Sequence, residues 1–103
     1  MPNIYDMRMH DGSRHFASLR ETYDVQTPQW DALRAHIEKI PGATITGFVT
    51  DNVTEAWIDW TYRGHDFSAN NQHGDWWLFV GDPSCPDDIL EHVLGDLSRL
   101  LEP

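Results

Sequence analysis

The chain has 103 residues, 40% of them hydrophobic, which is enough for one globular domain and too few for two. Seventeen acidic residues against seven lysines and arginines give a formal net charge of −10, which disfavours nucleic-acid binding because it repels phosphate backbones. The single cysteine excludes an internal disulfide and a zinc cluster built from cysteines, so we expect a cytoplasmic protein.

Two strands are predicted at the start of the chain. Residues 3–10 alternate between apolar and polar types, and the sequence DGS at 11–13 is typical of a hairpin turn. We predict the second strand over residues 14–25, although Phe16, Leu19 and Tyr23 are also spaced as on one face of a helix. A hairpin is therefore predicted here, with a helix as the alternative for its second arm.

The first helix is predicted between a cap and a breaker. Thr27 can accept hydrogen bonds from free backbone N–H groups, and Pro28 suits the first helical position. Apolar residues then recur at helical spacing over residues 30–40. The sequence PG at 41–42 ends the helix.

Four strands are predicted after this helix, and the last of them contains the aromatic run WWLFV at 76–80. They cover residues 43–50, 55–62, 66–71 and 75–80. These segments are rich in β-branched and aromatic residues, which favour strands. Gly64 and Gly74 supply the backbone conformations that the short turns between the last three strands require.

The second helix is predicted to open at residues 84–88 (SCPDD), with Ser84 or Cys85 as its N-cap. A broad apolar stripe follows over residues 89–101. The helix dipole favours ionisation of the Cys85 thiol, but three nearby aspartates oppose it and no base is assigned to it. We therefore predict a structural cysteine rather than a nucleophile.

The order of these elements predicts the fold class. It is β-β-α-β-β-β-β-α, with no repeat or linker, and it indicates one α+β domain over residues 1–103. We expect two layers, an antiparallel β-sheet meander and two helices packed on one face of that sheet.

Residues 23–101 contain a motif that resembles a family of small uncharacterised bacterial domains. The motif consists of YRGH at 62–65, Phe67, NQ with a glycine at 71–74, WWLFV at 76–80 and DP with CP at 82–86. The resemblance implies a fold and no activity. It does not extend to residues 1–20, so a peripheral addition to the domain is one interpretation of that segment.

Adjacent tryptophans in the last strand predict an aromatic surface. Because successive strand residues point to opposite faces, Trp76 and Trp77 cannot both lie beneath the helices. We predict that Trp76 lies in the core and that Trp77 lies with Trp57 on the opposite face, which we call the second face. The residues predicted to form a binding surface there are Trp57, Asp59, Thr61, Ser68, Asn70, Trp77 and Phe79.

Three things could cover the second face: residues 1–20, a second copy of the chain, or a partner protein or ligand. Exposed apolar patches usually mark contact sites, and the acidic charge would attract a basic partner. No stretch is long enough to span a membrane, and no enzyme motif is present. We therefore predict a non-catalytic inhibitor-like, immunity-like or regulatory module that binds another protein, basic in the simplest case, or a second copy of itself.

A small-molecule-binding domain or a small enzyme is the alternative. Its site would use polar residues at the two turns that flank the third strand of the meander, namely His65, Asp66, Asn71 and His73. Their spacing matches no metal signature, so neither a metal nor a cofactor is predicted. The other histidines, His10, His15, His36 and His92, show no partner pattern, and the last two are expected at helix surfaces.

Overall fold

In the computed structural model, the described residues form six strands and two helices. The elements are β1 (Met7–Arg8), β2 (Arg14–Leu19), α1 (Gln29–Glu38), β3 (Ala43–Thr50), β4 (Ala56–Tyr62), β5 (His65–Asn70), β6 (Trp76–Val80) and α2 (Asp87–Leu97). The structure describes residues 4–20, 29–51, 55–72 and 74–100. The strands form one antiparallel sheet, so the predicted α+β two-layer fold is confirmed.

The sheet order is β1-β2-β6-β5-β4-β3. Strands β3 to β6 form the predicted meander, and the N-terminal hairpin joins that meander at β6. Phe16 and Leu19 of β2 are buried in the core. Residues 14–19 are therefore an internal strand of the sheet.

Both helices pack on one face of the sheet. The alternation of buried and partly exposed residues in β4 and β6 places Trp60 and Trp76 on that face, where both are buried. The ring of Trp60 stacks on Phe67 at 5.7 Å between centroids. Helix α2 buries four apolar side chains against the same core, namely Leu90, Val93, Leu94 and Leu97. No helix among the described residues is long and apolar enough to cross a membrane.

The two helices also contact each other through one polar bond. His36 Nε2 on α1 lies 2.8 Å from the carbonyl oxygen of Asp96 on α2, in hydrogen-bond contact. His36 is therefore half-buried between the helices rather than a free surface residue. His92 is exposed, as predicted, and its ring stacks against Tyr62 at 6.4 Å.

The start of α2 differs from the prediction. Pro86 occupies the N-cap position and no side chain caps the helix, so the assignment of Ser84 or Cys85 as cap is wrong. Cys85 instead points into the core, and Ser84 donates its N–H and hydroxyl to Asp82 Oδ1 at 2.9 and 2.7 Å. These two bonds form the turn that leads into the helix. The predicted cap of α1 at Thr27 lies outside the described residues.

The turn between β4 and β5 has two residues, Arg63 and Gly64. Their φ angles are +52° and +81°, as a tight hairpin turn with the twist of the flanking strands requires. Tyr62 and His65 pair directly across this turn. The turn therefore sets the β4–β5 register, which in turn decides which side chains share a row on each face of the sheet.

The two adjacent tryptophans of β6 are expected to differ in their effect on stability. Trp76→Ala should lower the free energy of unfolding by roughly 3–5 kcal/mol, because it empties the space of a fully buried indole. Trp77→Ala should cost clearly less, because that side chain is only partly buried on the second face. Urea unfolding of both variants tests this, and equal losses would contradict the assignment of faces.

Candidate functional site on the second sheet face

The structure places all seven residues of the predicted binding surface on the face opposite the helices. In β4 and β6, partly or fully exposed residues alternate with buried ones. The residues that point away from the helices are Trp57, Asp59 and Thr61 of β4, and Trp77 and Phe79 of β6. Ser68 and Asn70 of β5 lie on the same face. They are the register partners of the β4 and β6 residues just named. The predicted parity of the sheet is therefore correct.

The register arranges these residues in two rows that run across the strands. One row consists of Val49, Trp57, Asn70, Trp77 and Ser18. The next row consists of Gly47, Asp59, Ser68, Phe79 and His15. Trp57 and Trp77 are thus two strands apart with Asn70 between them, and they do not form one continuous aromatic surface.

The N-terminal hairpin covers the β6 side of the second face. His15 is 2% exposed and stacks on Trp77 with a centroid distance of 4.4 Å and an interplanar angle of 12°. It also lies 5.0 Å from the Phe79 ring, and Tyr5 meets it edge-on at 5.1 Å. His15, for which no partner was predicted, is therefore the centre of an aromatic cluster. Residues from the N-terminal segment fill this part of the face, whereas Val49 beside Trp57 stays 62% exposed.

A cavity of about 320 Å³ lies between the tip of the β1–β2 hairpin and strands β5 and β6, beside Phe79 and Ser68 of the row that contains His15. The lining residues are Met9, Asp11, Ser13, Asp66, Phe67, Ser68, Asn70, Phe79 and Gly81. Three of the predicted surface residues belong to this lining, and so does Asp66 of the alternative site. The contribution of the hairpin tip was not predicted, since the sequence at 11–13 indicates only a turn.

The lining of the cavity is rich in hydrogen-bond acceptors. Among the residues that the structure describes, the lining includes Asp11 and Asp66 and no lysine, arginine or histidine. Hydrogen bonds from the hydroxyl and the backbone N–H of Ser13, at 2.6 and 3.0 Å, lower the pKa of Asp11 and favour its ionised form. Asn70 is 7% exposed, and its buried Oδ1 has no hydrogen-bond partner. Asn70 therefore lines the cavity, while its unpaired Oδ1 is itself turned away from accessible space.

The alternative site at the turns is not assembled. His65 begins β5 and Asn71 follows its last residue, and six residues along a strand span roughly 20 Å. Successive turns of a meander lie at opposite ends of the sheet, which is why these residues cannot meet. Asn71 has a structural role, because its Oδ1 accepts from the N–H of Ala56 at 2.8 Å. His73 lies outside the described residues.

Metal binding by a cluster of side chains finds no support in the described part of the chain. Among those residues, no three histidine, cysteine, aspartate or glutamate side chains lie close enough together to hold a metal ion. Hydrogen bonds from Ser84 lower the pKa of Asp82 most, and the nearby His65 lowers it further. The pair of His65 and Asp82 is an electrostatic contact at the end of the sheet.

Cys85 is placed as a structural residue. It is 2% exposed, and its Sγ lies 3.9 Å from the carbonyl oxygen of Pro86. Burial is the largest cause that raises the pKa of its thiol, and the negative charge of Asp82 adds to it. The thiol is therefore protonated at neutral pH and does not offer a nucleophile.

Comparison of the chain with protein-family models, with curated proteins and with solved structures gave no match. The resemblance to small bacterial domains stays a prediction, and the function has to be argued from the arrangement of the residues themselves.

The raised pKa of Cys85 predicts an alkaline loss of stability. A thiol whose pKa is raised by folding stabilises the native state fully below its unfolded pKa of about 8.5 and loses that contribution as the pH rises through its folded pKa. Cys85→Ala should therefore make the free energy of unfolding less dependent on pH in this range. In the folded wild-type protein, the thiol should react with Ellman's reagent slowly until denaturant is added. Rapid reaction at neutral pH in the folded protein would contradict the structural role.

The neighbouring asparagines at the end of β5 are expected to respond oppositely to the same substitution. Asn70→Leu should raise the free energy of unfolding, because an unpaired buried acceptor costs roughly 1–3 kcal/mol. Asn71→Leu should lower it by a similar amount, since the N–H of Ala56 would lose its acceptor. Urea unfolding of the two variants measures both. A large loss in Asn70→Leu would show that Asn70 has a structural role as well.

Proposed function

We propose that this protein is a non-catalytic binding module that holds a basic protein against the second face of its sheet. The observation that carries the proposal is the composition of that face between β3 and β5. It combines the exposed Val49 and the partly exposed Trp57 with the carboxylates of Asp59 and Asp66.

Apolar side chains on this part of the face supply the contact area. Val49 and Trp57 are register partners on neighbouring strands and lie next to each other. Tryptophan in a partly exposed position is a frequent energetic anchor of protein interfaces, because a partner can desolvate its remaining surface. Helices α1 and α2 lie on the opposite face, so they do not cover this pair.

The charges of the face favour a basic partner over a second copy. Asp59 and Asp66 lie on it, and the strand arginines Arg8 and Arg14 face the other side, since Arg14 pairs with Val80 of the core. With a net charge of −10, two copies repel each other, whereas a basic protein is attracted and its encounter is accelerated. The module would then mask or regulate a basic surface.

The two charge reversals Asp59→Lys and Glu91→Lys test this proposal. Both residues are exposed and both variants change the net charge equally, but Asp59 is on the second face and Glu91 is on α2 in the helix layer. A partner is first captured from lysate on the tagged wild-type protein, identified and purified, and its affinity for each variant is measured by calorimetry at low and high salt.

We expect Asp59→Lys to weaken binding roughly tenfold or more and Glu91→Lys to weaken it far less, since close charge pairs across an interface are the strongly coupled ones. Trp57→Ala should also weaken binding, and high salt should weaken the wild-type complex. Equal losses in both charge-reversal variants would overturn the assignment of the face. If light scattering shows a wild-type dimer that Asp59→Lys dissociates, a second copy occupies the face instead.

A further inference from the structure

We propose that the cavity between the tip of the β1–β2 hairpin and strands β5 and β6 binds an organic cation, an ammonium or guanidinium group on a short apolar stem. The site lies at one end of the second face. It does not depend on the protein-binding proposal, because the argument rests on the lining of the cavity alone.

One residue in the lining, Asn70, has an unpaired acceptor. Asn70 Oδ1 is buried without a hydrogen-bond partner, although almost all buried polar atoms in proteins have one. Asn70 lies on the second face with Ser68 and Asp66, its alternate neighbours in β5, and all three line the cavity. The oxygen has no accessible surface, so a ligand that carries N–H donors would satisfy it once the Asn70 side chain turns into the cavity.

The lining of the cavity is negatively charged. Asp11 and Asp66 line it from the hairpin and from β5, and none of its described lining residues is cationic. Asp11 is held ionised by its two hydrogen bonds from Ser13. The negative charge of the lining therefore repels anions and attracts a cation.

The apolar part of the lining selects an organic cation over a metal ion. Phe79 and Met9 line the cavity beside the acceptors, and an aromatic ring attracts an ammonium or guanidinium group through its π electrons. Divalent ions such as calcium require six or more oxygen ligands, and an apolar wall does not supply them. A volume of about 320 Å³ is at the small end of ligand sites, which suits one side chain or a small amine.

Titrations followed by amide NMR shifts test the proposal with defined probes. The free cations are n-butylammonium and n-butylguanidinium, and the blocked peptides acetyl-Gly-Lys-Gly-amide and acetyl-Gly-Arg-Gly-amide present the same groups as protein side chains. The neutral alcohol 1-pentanol matches the stem without the charge. The variants are Asp66→Asn and Asp11→Asn in the lining, and Glu91→Gln on α2 as a control with the same change in charge.

We expect cationic probes to shift the amides of lining residues such as Ser13, Ser68 and Gly81, and the neutral alcohol to leave them unchanged. Affinity should fall about tenfold in Asp66→Asn, which removes one charged acceptor, and should be unaltered in Glu91→Gln. Binding by the peptides supports the site and identifies a protein side chain as its source. Binding by the free cations alone supports it and identifies a small amine.

Three results would overturn the proposal: no shifts at millimolar probe, equal shifts with the alcohol, or an equal loss of affinity in Glu91→Gln and Asp66→Asn. None of these results bears on Asp59→Lys and its purified partner, so the protein-binding proposal and the cation site can fail separately.

Discussion

The antiparallel pairing of β2 with β6 is the constraint on which the rest of the structure depends. It joins residues 14–19 to residues 76–80, at a cost in loop-closure entropy that the core must offset. A bulge between His15 and Ala17 gives β2 one extra residue, so that Phe16 and Ala17 are both buried while His15 points to the second face. One strand therefore completes the core under the helices and covers Trp77 on the other side.

The same pairing explains which parts of the molecule could be predicted. The face of each tryptophan follows from strand alternation, which is a local property and is visible in the sequence. Sheet order is not local, so the stacking of His15 on Trp77 and the cavity under the hairpin tip could not be predicted. The prediction that Cys85 could cap α2 was wrong because tertiary packing buries its side chain instead. His65 and Asn71 of the alternative site lie at opposite ends of β5, since a meander separates consecutive turns.

Arg14 links the hairpin to the helix layer and so holds the wall of the cavity in place. Its side chain is buried, its Nε donates to the carbonyl oxygen of Tyr5 at 2.9 Å, and it lies 3.4 Å from Asp87 at the start of α2. Asp6 is 3.7 Å away, and its pKa is lowered first by its hydrogen bond from Arg8. Removing the partners of a buried guanidinium is far costlier than removing an exposed ion pair. The hairpin that covers the cavity is thus anchored by a contact on the opposite face of the sheet.

Asn70 connects the two proposals. It stands between Trp57 and Trp77, where an apolar side chain would pack without leaving an acceptor unpaired, so stability alone does not account for an asparagine there. Ser68, its neighbour on the same face, lines the cavity and pairs with Asp59 of the proposed interface. Neighbouring strands lie about 5 Å apart, and a stable interface covers roughly 800 Å² on each partner. A basic protein seated on Trp57 and Asp59 would therefore extend over the cavity mouth, where a lysine or arginine would lie beside the acidic lining and beside Asn70, whose Oδ1 is unpaired in the free protein.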